Sequence, residues 1–544
     1  MRGLMMESPL LIQTLIEHAG QYHGETEIVS RTVEGSIHRY SYGEAEQRAK
    51  RLAKALRRLG VSLGDRVATL AWNGHRHFEL YFGVSGIGAI CHTINPRLFH
   101  EQLDYIANHA EDKVLFFDST FAPLVEKLGP NWKMVRHYVA MTDRAHMPTI
   151  KVPNLLCYEE LIAAEDAELD WPRFDENTAS SLCYTSGTTG NPKGALYTHR
   201  STVLHSFACC AANNTAFSMQ DSILPVVPMF HANAWGVPYS AAMAGSKLVF
   251  PGPHLDGASL HTLIENEQVT ITLGVPTVWL GLLKYLDETG KRIKSVDRVL
   301  IGGSAAPAAM IRDFEERYGA RVIHGWGMTE MSPVGTVGTL KAKFLHRSKE
   351  EQLQVKAKQG RPLYGVDLKL VDGEGKRQPH DGISRGELLV RGPWIVSGYY
   401  NDIPASEAAI DDEGWFRTGD VANIDPDGYL QLVDRHKDVI KSGGEWISSI
   451  DIENAAIGHA DVAEAAVIGV PHSKWAERPL LIVVPKQGKK PSKEAILGFL
   501  QDKVVKWALP DDVVFVTEIP HTATGKILKT KLRDQFRDYR LPNP

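Results

Sequence analysis

The sequence predicts an α/β protein with largely parallel sheets, a β-rich subdomain and a small C-terminal domain. Three observations carry this. Apolar runs of strand length alternate with helical patterns for most of the 544 residues, as in β-α units built on parallel strands. Near residue 364 the alternation gives way to short strands separated by turn signals. After residue 434 the charge balance inverts: residues 435–544 hold 17 Lys and Arg against 14 Asp and Glu, a net of +3, while residues 1–434 carry −8.

The elements follow in order. Residues 10–19 read as an amphipathic helix and not as a leader, because Glu7 and Pro9 precede the apolar run and Glu17 follows it. Residues 44–59 are helical in pattern, and Gly60 reads as their C-cap. Residues 66–72 (RVATLAW), 113–118 (KVLFFD), 269–273 and 298–301 each read as a strand. Residues 181–184 read as a strand end leading into a glycine-rich segment. Residues 364–372 alternate, 386–392 (GELLVRG) make a short strand, and 425–435 (DPDGYLQLVDR) read as a hairpin. The predicted domains are 1–434, with the β-rich subdomain at about 364–434, and 435–544.

Composition excludes several classes. Hydrophobic residues are 43% and charged residues 23%, which is folded rather than disordered composition. A net charge of −5 makes no electrostatic case for nucleic acid. Cys91, Cys157, Cys183, Cys209 and Cys210 show no metal spacing and read as reduced, mostly buried thiols of a cytoplasmic protein. The longest uncharged stretch, 222–246, contains Pro225, Pro228, Pro238, His231 and Asn233, groups that argue against a membrane span.

The strongest chemical signal is TSGTTGNPKG at 185–194. Gly187 and Gly190 let backbone N–H groups approach an anion. The hydroxyls of Thr185, Ser186, Thr188 and Thr189 can donate to phosphate oxygens, and Lys193 adds charge. A polyphosphate cradle is the natural reading. It is not a Walker loop, since Gly194 follows Lys193 and no Gly-Lys-Ser/Thr occurs. A flexible linker is the bland alternative, and the lysine and hydroxyl density weigh against it.

This segment resembles the phosphate-loop signature of the adenylate-forming enzymes. Seven further motifs stand in that family's order: 228–231 (PMFH), 302–305 (GGSA), 325–330 (GWGMTE), 418–420 (TGD), 434–438 (DRHKD), 441–446 (KSGGEW) and 524–526 (TGK). The resemblance spans essentially the whole chain. Residues 225–236 and 438–449 bring it nearest to bacterial medium- and long-chain fatty-acyl-CoA synthetases and methylmercaptopropionate-CoA ligases.

The resemblance implies two mostly parallel sheets flanked by helices and a mobile α+β C-terminal domain. It implies activation of a carboxylic acid by ATP to acyl-AMP, followed by transfer to coenzyme A. Thr185 and Glu330 would hold Mg²⁺, and Lys526 would contact the carboxylate and the α-phosphate. Asp420 and Arg435 would hold the ribose, and Trp326 the adenine. Gly303, Ser304, Ala305, Gly327, Met328 and Thr329 would complete the nucleotide site. His231 would lie by the acyl carboxylate, and Trp235 would gate the acyl tunnel, whose walls include Val275, Gly302, Gly327 and Pro333. The small domain would turn about Lys437, and Lys441, Gly443, Gly444, Glu445 and Trp446 would serve coenzyme A. Relatives are often homodimers. Small Gly327 favours a medium-chain acid, with a methylmercaptopropionate or aryl-alkanoate as the alternative.

Two decoys fall away. Residues 60–64 match G-x-S-x-G, but in a helix-turn-strand context that is the reverse of a nucleophile elbow. There is no His-Glu-x-x-His. An adenylation domain serving a carrier protein is disfavoured because Phe230 is followed by His231-Ala232-Asn233, with no aspartate. An inactive adenylate-binding scaffold is disfavoured because Thr185, Glu330, Asp420 and Lys526 are all present.

Overall fold

Strands buried on both faces are largely apolar, and the runs read from the sequence form such strands. Val114–Phe117 and Arg298–Ile301 are buried at every position. The computed structural model describes all residues except 2, 186–190, 436–437, 443–444, 523–525 and 543–544, and the side chains of Glu445 and Trp446. The α/β class expected from the sequence is the class found.

Four sheets organise the described residues. One has seven strands, parallel from Leu155–Cys157 through Ala179–Tyr184, with Gly194–Thr198 antiparallel at its edge. A second has nine strands. Its central members Ser222–Pro225, Ile271–Gly274, Arg298–Ile301 and Arg321–Gly327 are parallel. The third is the β-rich part, four antiparallel strands from Asp367–Val371 to Leu430–Arg435. The fourth has five strands, between Ile440–Ser442 and Asp512–Phe515, with helices Ser449–Ile457, Lys493–Leu500 and Lys529–Gln535.

Local chemistry sets the helix ends. Helix Tyr42–Arg58 opens on a capping box: Ser41 Oγ accepts from the Glu44 N–H at 3.3 Å, and Glu44 Oε2 accepts from the Ser41 N–H at 2.8 Å. It closes at Gly60, whose φ of 82° lets the Val61 N–H reach the Leu56 carbonyl. The first helix differs from its expected span. It runs Gln13–Tyr22, because the Leu10 N–H donates to Glu176 and the Ile12 N–H to His199 Nδ1. Those tertiary bonds hold residues 10–12 outside the helix. No helix among the described residues is long and apolar enough to cross a membrane.

Asn73 joins the two large sheets where the site is built. It follows strand Arg66–Leu70 of the seven-stranded sheet. Its Nδ2 donates to the carbonyls of Pro225 and Val227 at 2.9 and 2.8 Å, and its Oδ1 accepts from the Met229 N–H at 2.7 Å. One buried amide thus holds the segment that leads from the nine-stranded sheet into His231. Replacing Asn73 with Ala leaves three buried backbone groups without partners, each costing about 1–3 kcal/mol. The Asn73→Ala variant is therefore expected to lose about 3 kcal/mol or more of stability. A denaturant midpoint equal to the parent's would show that the clamp is dispensable.

Candidate active site

In open parallel sheets, ligands meet the carboxyl ends of the strands. Four strand ends converge here on one cleft of about 590 Å³. Strand Ala179–Tyr184 ends immediately before Thr185, Ile271–Gly274 before Val275, Arg298–Ile301 before Gly302, and Arg321–Gly327 before Met328. Thr185, Val275, Gly302 and Met328 all line the cleft.

The base of the glycine-rich segment is closed on itself. The Thr185 N–H donates to the Lys193 carbonyl at 2.9 Å, and Thr185 Oγ1 accepts from the Lys193 N–H at 3.3 Å. Ser186, Gly187, Thr188, Thr189 and Gly190 lie outside the described residues. Lys193 places its ammonium 5.0 Å from the centre of the Tyr399 ring, a cation–π contact. The Tyr399 hydroxyl donates to Glu330 Oε1 at 2.8 Å. Glu330 is buried, which raises its pKa, while Tyr399, Arg435 and Lys526 act against the rise. Tyr399 therefore bridges Lys193 and the buried carboxylate of Glu330.

Thr185 and Glu330 both reach the cleft. A hydroxyl and a single carboxylate are hard oxygen donors. Among the described residues no group of three or more His, Cys, Asp or Glu could cage an ion. That donor set fits a Mg²⁺ shared with substrate phosphates and water.

One side of the cleft is built around one carboxylate. Asp420 accepts from the Trp326 indole N–H at 2.9 Å and pairs with Arg435 Nε at 2.8 Å. Asp420 and Arg435 are direct cross-strand partners in the antiparallel sheet. Trp326, Gly327, Thr329, Gly303 and Arg435 line the cleft. Ser304 and Ala305 do not. Gly303 takes a left-handed φ of 81° and turns the chain away, leaving Ser304 exposed.

Lys526 comes from the C-terminal part and reaches the same cleft. Its own loop is closed by the Thr522 N–H on the Lys526 carbonyl and by Thr522 Oγ1 accepting from the Lys526 N–H at 3.1 Å. Burial pushes the ammonium down to about 8; Arg435 pushes the same way, while Asp420 and Glu330 oppose. The C-terminal part is held in this position by Ser448 Oγ donating to the Val433 carbonyl, the Ser449 N–H donating to Asp434, and Lys529 facing Asp434 at 4.0 Å. Lys437, Gly443 and Gly444 lie outside the described residues, as do the side chains of Glu445 and Trp446. Lys441 is exposed and away from the cleft.

His231 and Trp235 flank a left-handed turn. Ala232, Asn233, Ala234 and Trp235 all have φ between 43° and 57°, and Gly236 follows at 74°. Such backbone costs non-glycine residues about 1–2 kcal/mol each. Asn233 anchors it, donating to Ser181 Oγ at 2.9 Å and accepting from Cys183 Sγ at 3.4 Å. The turn lays the Trp235 ring over two glycines: a Cβ on Gly302 would meet Trp235 Cη2 at 3.0 Å, and one on Gly303 would meet Cζ2 at 3.9 Å. His231 is held neutral, its pKa lowered to about 4 first by burial and then by Lys526. Trp235, Val275, Gly302, Gly327 and Pro333, the expected substrate set, share this wall with His231.

Beyond that wall the cleft continues as an apolar tunnel. Leu273, Leu300 and Ile323 sit side by side in register on three strands and line it. Tyr399 and the tunnel's inner residues Asn214, Thr215 and Phe217 were not among the residues singled out from the sequence. Neither the run GYYND around Tyr399 nor AANNTAF around Asn214 carries a local chemical signature.

Comparison with known proteins agrees with this geometry. Residues 15–400 match the AMP-binding enzyme family, and residues 451–526 match the AMP-binding enzyme C-terminal domain. The chain is 52% identical over 538 residues to a 3-methylmercaptopropionyl-CoA ligase of Ruegeria lacuscaerulensis, covering 99% of both chains. It is 51% identical over 538 residues to a medium-chain-fatty-acid–CoA ligase of Ectopseudomonas oleovorans, covering 99% of this chain and 98% of that one. Among solved structures, an anthranilate CoA ligase in complex with anthranoyl-AMP superposes with a TM-score of 0.87 at 26% identity, covering 98% of each chain. Fold, cleft and relatives agree: the chain belongs to the AMP-binding enzyme family.

Proposed function

We propose that this protein is an ATP- and coenzyme A-dependent acid–thiol ligase whose acid is a medium-chain fatty acid. The observation that carries the chain length is the tunnel. Arg298, Leu300 and Gly302 alternate onto one face of their strand. Four residues at about 3.3 Å each set Arg298 about 13 Å behind Gly302. An alkyl chain of ~1.5 Å bonds advances about 1.3 Å per carbon, so about ten carbons span that distance. A methylmercaptopropionate would fill less than half of it. That acid is kept as the second reading because two relatives at 52% identity are named 3-methylmercaptopropionyl-CoA ligase.

In the first half-reaction a carboxylate oxygen attacks the α-phosphorus of ATP, and the bond to pyrophosphate breaks. Lys526 offers its positive charge where carboxylate and phosphate meet. Neutral His231 sits beside them without adding charge. Asp420 and Arg435 are placed for the ribose, Trp326, Gly327, Met328 and Thr329 for the nucleotide, and Lys193 for the leaving phosphates. Mg²⁺, held by Thr185 and Glu330 with the phosphates, would neutralise their charge. In the second half-reaction the thiol sulfur of coenzyme A attacks the acyl carbon and AMP leaves. Lys526 then has to withdraw, and rotation of residues 435–544 about Lys437 would bring residues 441–446 to the cleft. Trp235, lying on Gly302 and Gly303, is the tunnel gate in this reading. A cytoplasmic homodimer belongs to the same proposal. The N-terminal helix is a poor dimer contact, since Leu15, Ile16 and Ala19 are already buried against the chain's own helices Tyr42–Arg58 and Val237–Ala244.

The deciding experiment is pyrophosphate release with ATP, Mg²⁺ and coenzyme A over C2 to C16 alkanoates, methylmercaptopropionate and phenylalkanoates, with detection of the thioester. A maximum at C6 to C12 is expected. A sharp preference for methylmercaptopropionate would install the second reading, and pyrophosphate without thioester would overturn the ligase.

Lys526→Ala is expected to slow acyl-AMP formation by about 100-fold or more and to leave thioester formation from supplied acyl-AMP largely intact. Lys437→Pro should do the reverse. Equal loss in both half-reactions would remove Lys526 from its role, and normal overall turnover in Lys437→Pro would sink the rotation. Tyr399→Phe should raise the Mg²⁺ concentration for half-maximal pyrophosphate release about tenfold, as loss of a carboxylate's supporting hydrogen bond does at metal sites. An unchanged Mg²⁺ midpoint would show that Tyr399 does not orient Glu330.

A further inference from the structure

Trp235, Pro333 and Val334 all line the cleft. The turn that carries Trp235 and the stretch Pro333–Val334 are joined by a histidine behind them. His205, on helix His199–Cys210, is only 1% exposed. Its Nε2 accepts from the Val334 N–H at 3.2 Å. Its other edge lies on Gly236: a Cβ there would meet His205 Nδ1 at 2.8 Å and Cε1 at 2.9 Å, with the Ser332 carbonyl 4.0 Å away. One ring thus touches both the end of the left-handed turn and the start of strand Val334–Val337.

The partners fix the chemistry of that ring. Because Nε2 accepts, Nδ1 carries the hydrogen. It faces Cys209 Sγ at 3.7 Å, one helical turn further on. Burial lowers the His205 pKa to about 4, so Nε2 stays an acceptor at neutral pH. Val334 is held through its other backbone group as well. Its carbonyl accepts from the Trp394 indole N–H at 3.1 Å, and Trp394 meets His205 edge to face with ring centres 6.1 Å apart. Ser332 Oγ donates to the Trp394 carbonyl at 2.9 Å, and the Met328 N–H donates to the Pro333 carbonyl at 3.0 Å. A ring that only filled space would not need its lone pair, and leucine could replace it. Here, loss of the lone pair strands a buried N–H on a residue that itself forms the cleft wall.

We propose that His205 is a positioning residue for the acid: by fixing Val334 and Gly236 together, it sets the spacing between the Pro333–Val334 wall and the turn that carries Trp235, and with it the acids the cleft accepts. This rests on the acid–coenzyme A ligase reading and deepens it. His205 acts through these two segments and touches no reacting atom.

The test is acid-dependent pyrophosphate release in the unmodified enzyme, His205→Gln, His205→Leu and Trp394→Phe, with kcat and KM taken separately for ATP and for each alkanoate from C4 to C14. Gln Oε1 can stand where His205 Nε2 stands, whereas Leu removes the acceptor. His205→Leu should lower kcat/KM for the preferred acid by about tenfold, since a displaced wall misplaces the substrate, and should shift the chain-length maximum. The KM for ATP should stay unchanged, and His205→Gln should recover most of the loss. Trp394→Phe frees the other backbone group of Val334 and should act in the same direction, which keeps the test decisive if His205→Leu fails to fold. A loss shared equally by acid and ATP with the chain-length profile unmoved would overturn the proposal, as would a His205→Gln enzyme no better than His205→Leu. An unmoved acid profile in Trp394→Phe would also overturn it. Failure of every acid to give a thioester in the unmodified enzyme would instead count against the ligase reading.

Discussion

The ion pair between Asp420 and Arg435 is the interaction on which the cleft depends. It stands where three bodies meet: the nine-stranded sheet, the antiparallel sheet and the start of the C-terminal part. Asp420 also accepts from the indole of Trp326, which stands at the end of the nine-stranded sheet. Arg435 is the last residue of the antiparallel sheet, where the chain leaves for its C-terminal part. The pair is in cross-strand register, so backbone hydrogen bonds fix its geometry before either side chain contributes. Asp420 is buried while the Arg435 side chain is partly exposed, so removing Arg435 would strip a buried carboxylate of its ion-pair partner. Asp420 therefore holds position for Trp326 and Arg435 together.

Burial sets the state of Lys526 first, and that pair adjusts it. The lysine enters a pocket that already contains Glu330, Asp420 and Arg435, two charges of one sign and one of the other. Burial and Arg435 push its ammonium down to about 8, and the two carboxylates limit the fall. One unit above neutrality means that the charged form predominates by about tenfold at pH 7. Arriving anions would raise that margin, since each adds opposite charge at short range in a place where water screens little. A lysine without the carboxylates would hold its proton less tightly in such a pocket. One without Arg435 would hold it more tightly and gain less from the substrate.

The sequence reveals the scaffold better than the support around the site. Strands such as Val114–Phe117 and Arg298–Ile301 are legible because strands covered on both faces are nearly all apolar, Arg298 being the exception that is paired with Asp221. Helix Tyr42–Arg58 is legible because its cap and its glycine exit are local. Helix Gln13–Tyr22 begins later than its pattern suggests, since Glu176 and His199, far along the chain, hold residues 10 and 12. The same distinction governs the site. Thr185, Lys193, Glu330 and Lys526 sit in dense motifs. Tyr399 meets Glu330 across 69 residues, and Asn73 meets Met229 across 156, so only the fold reveals them. Ser304 and Ala305 belong to a motif, yet the left-handed Gly303 carries them off the wall.

The left-handed turn at residues 232–235 shows why such strain persists. Four consecutive non-glycine residues in that region would cost about 4–8 kcal/mol in isolation. The cost is offset locally. Asn233 is the residue type that best tolerates this backbone, and its amide is bonded at both ends to the strand preceding Thr185. The Ala234 N–H reaches the carbonyls of Pro228 and His231, and Asn73 holds the segment just upstream. A right-handed turn of the same four residues would not reproduce the side-chain directions found here. It would surrender either the neutral histidine beside Lys526 or the indole lying on Gly302 and Gly303. The run of four consecutive left-handed residues lies where His231 and Trp235, at the two ends of one turn, both reach the cleft.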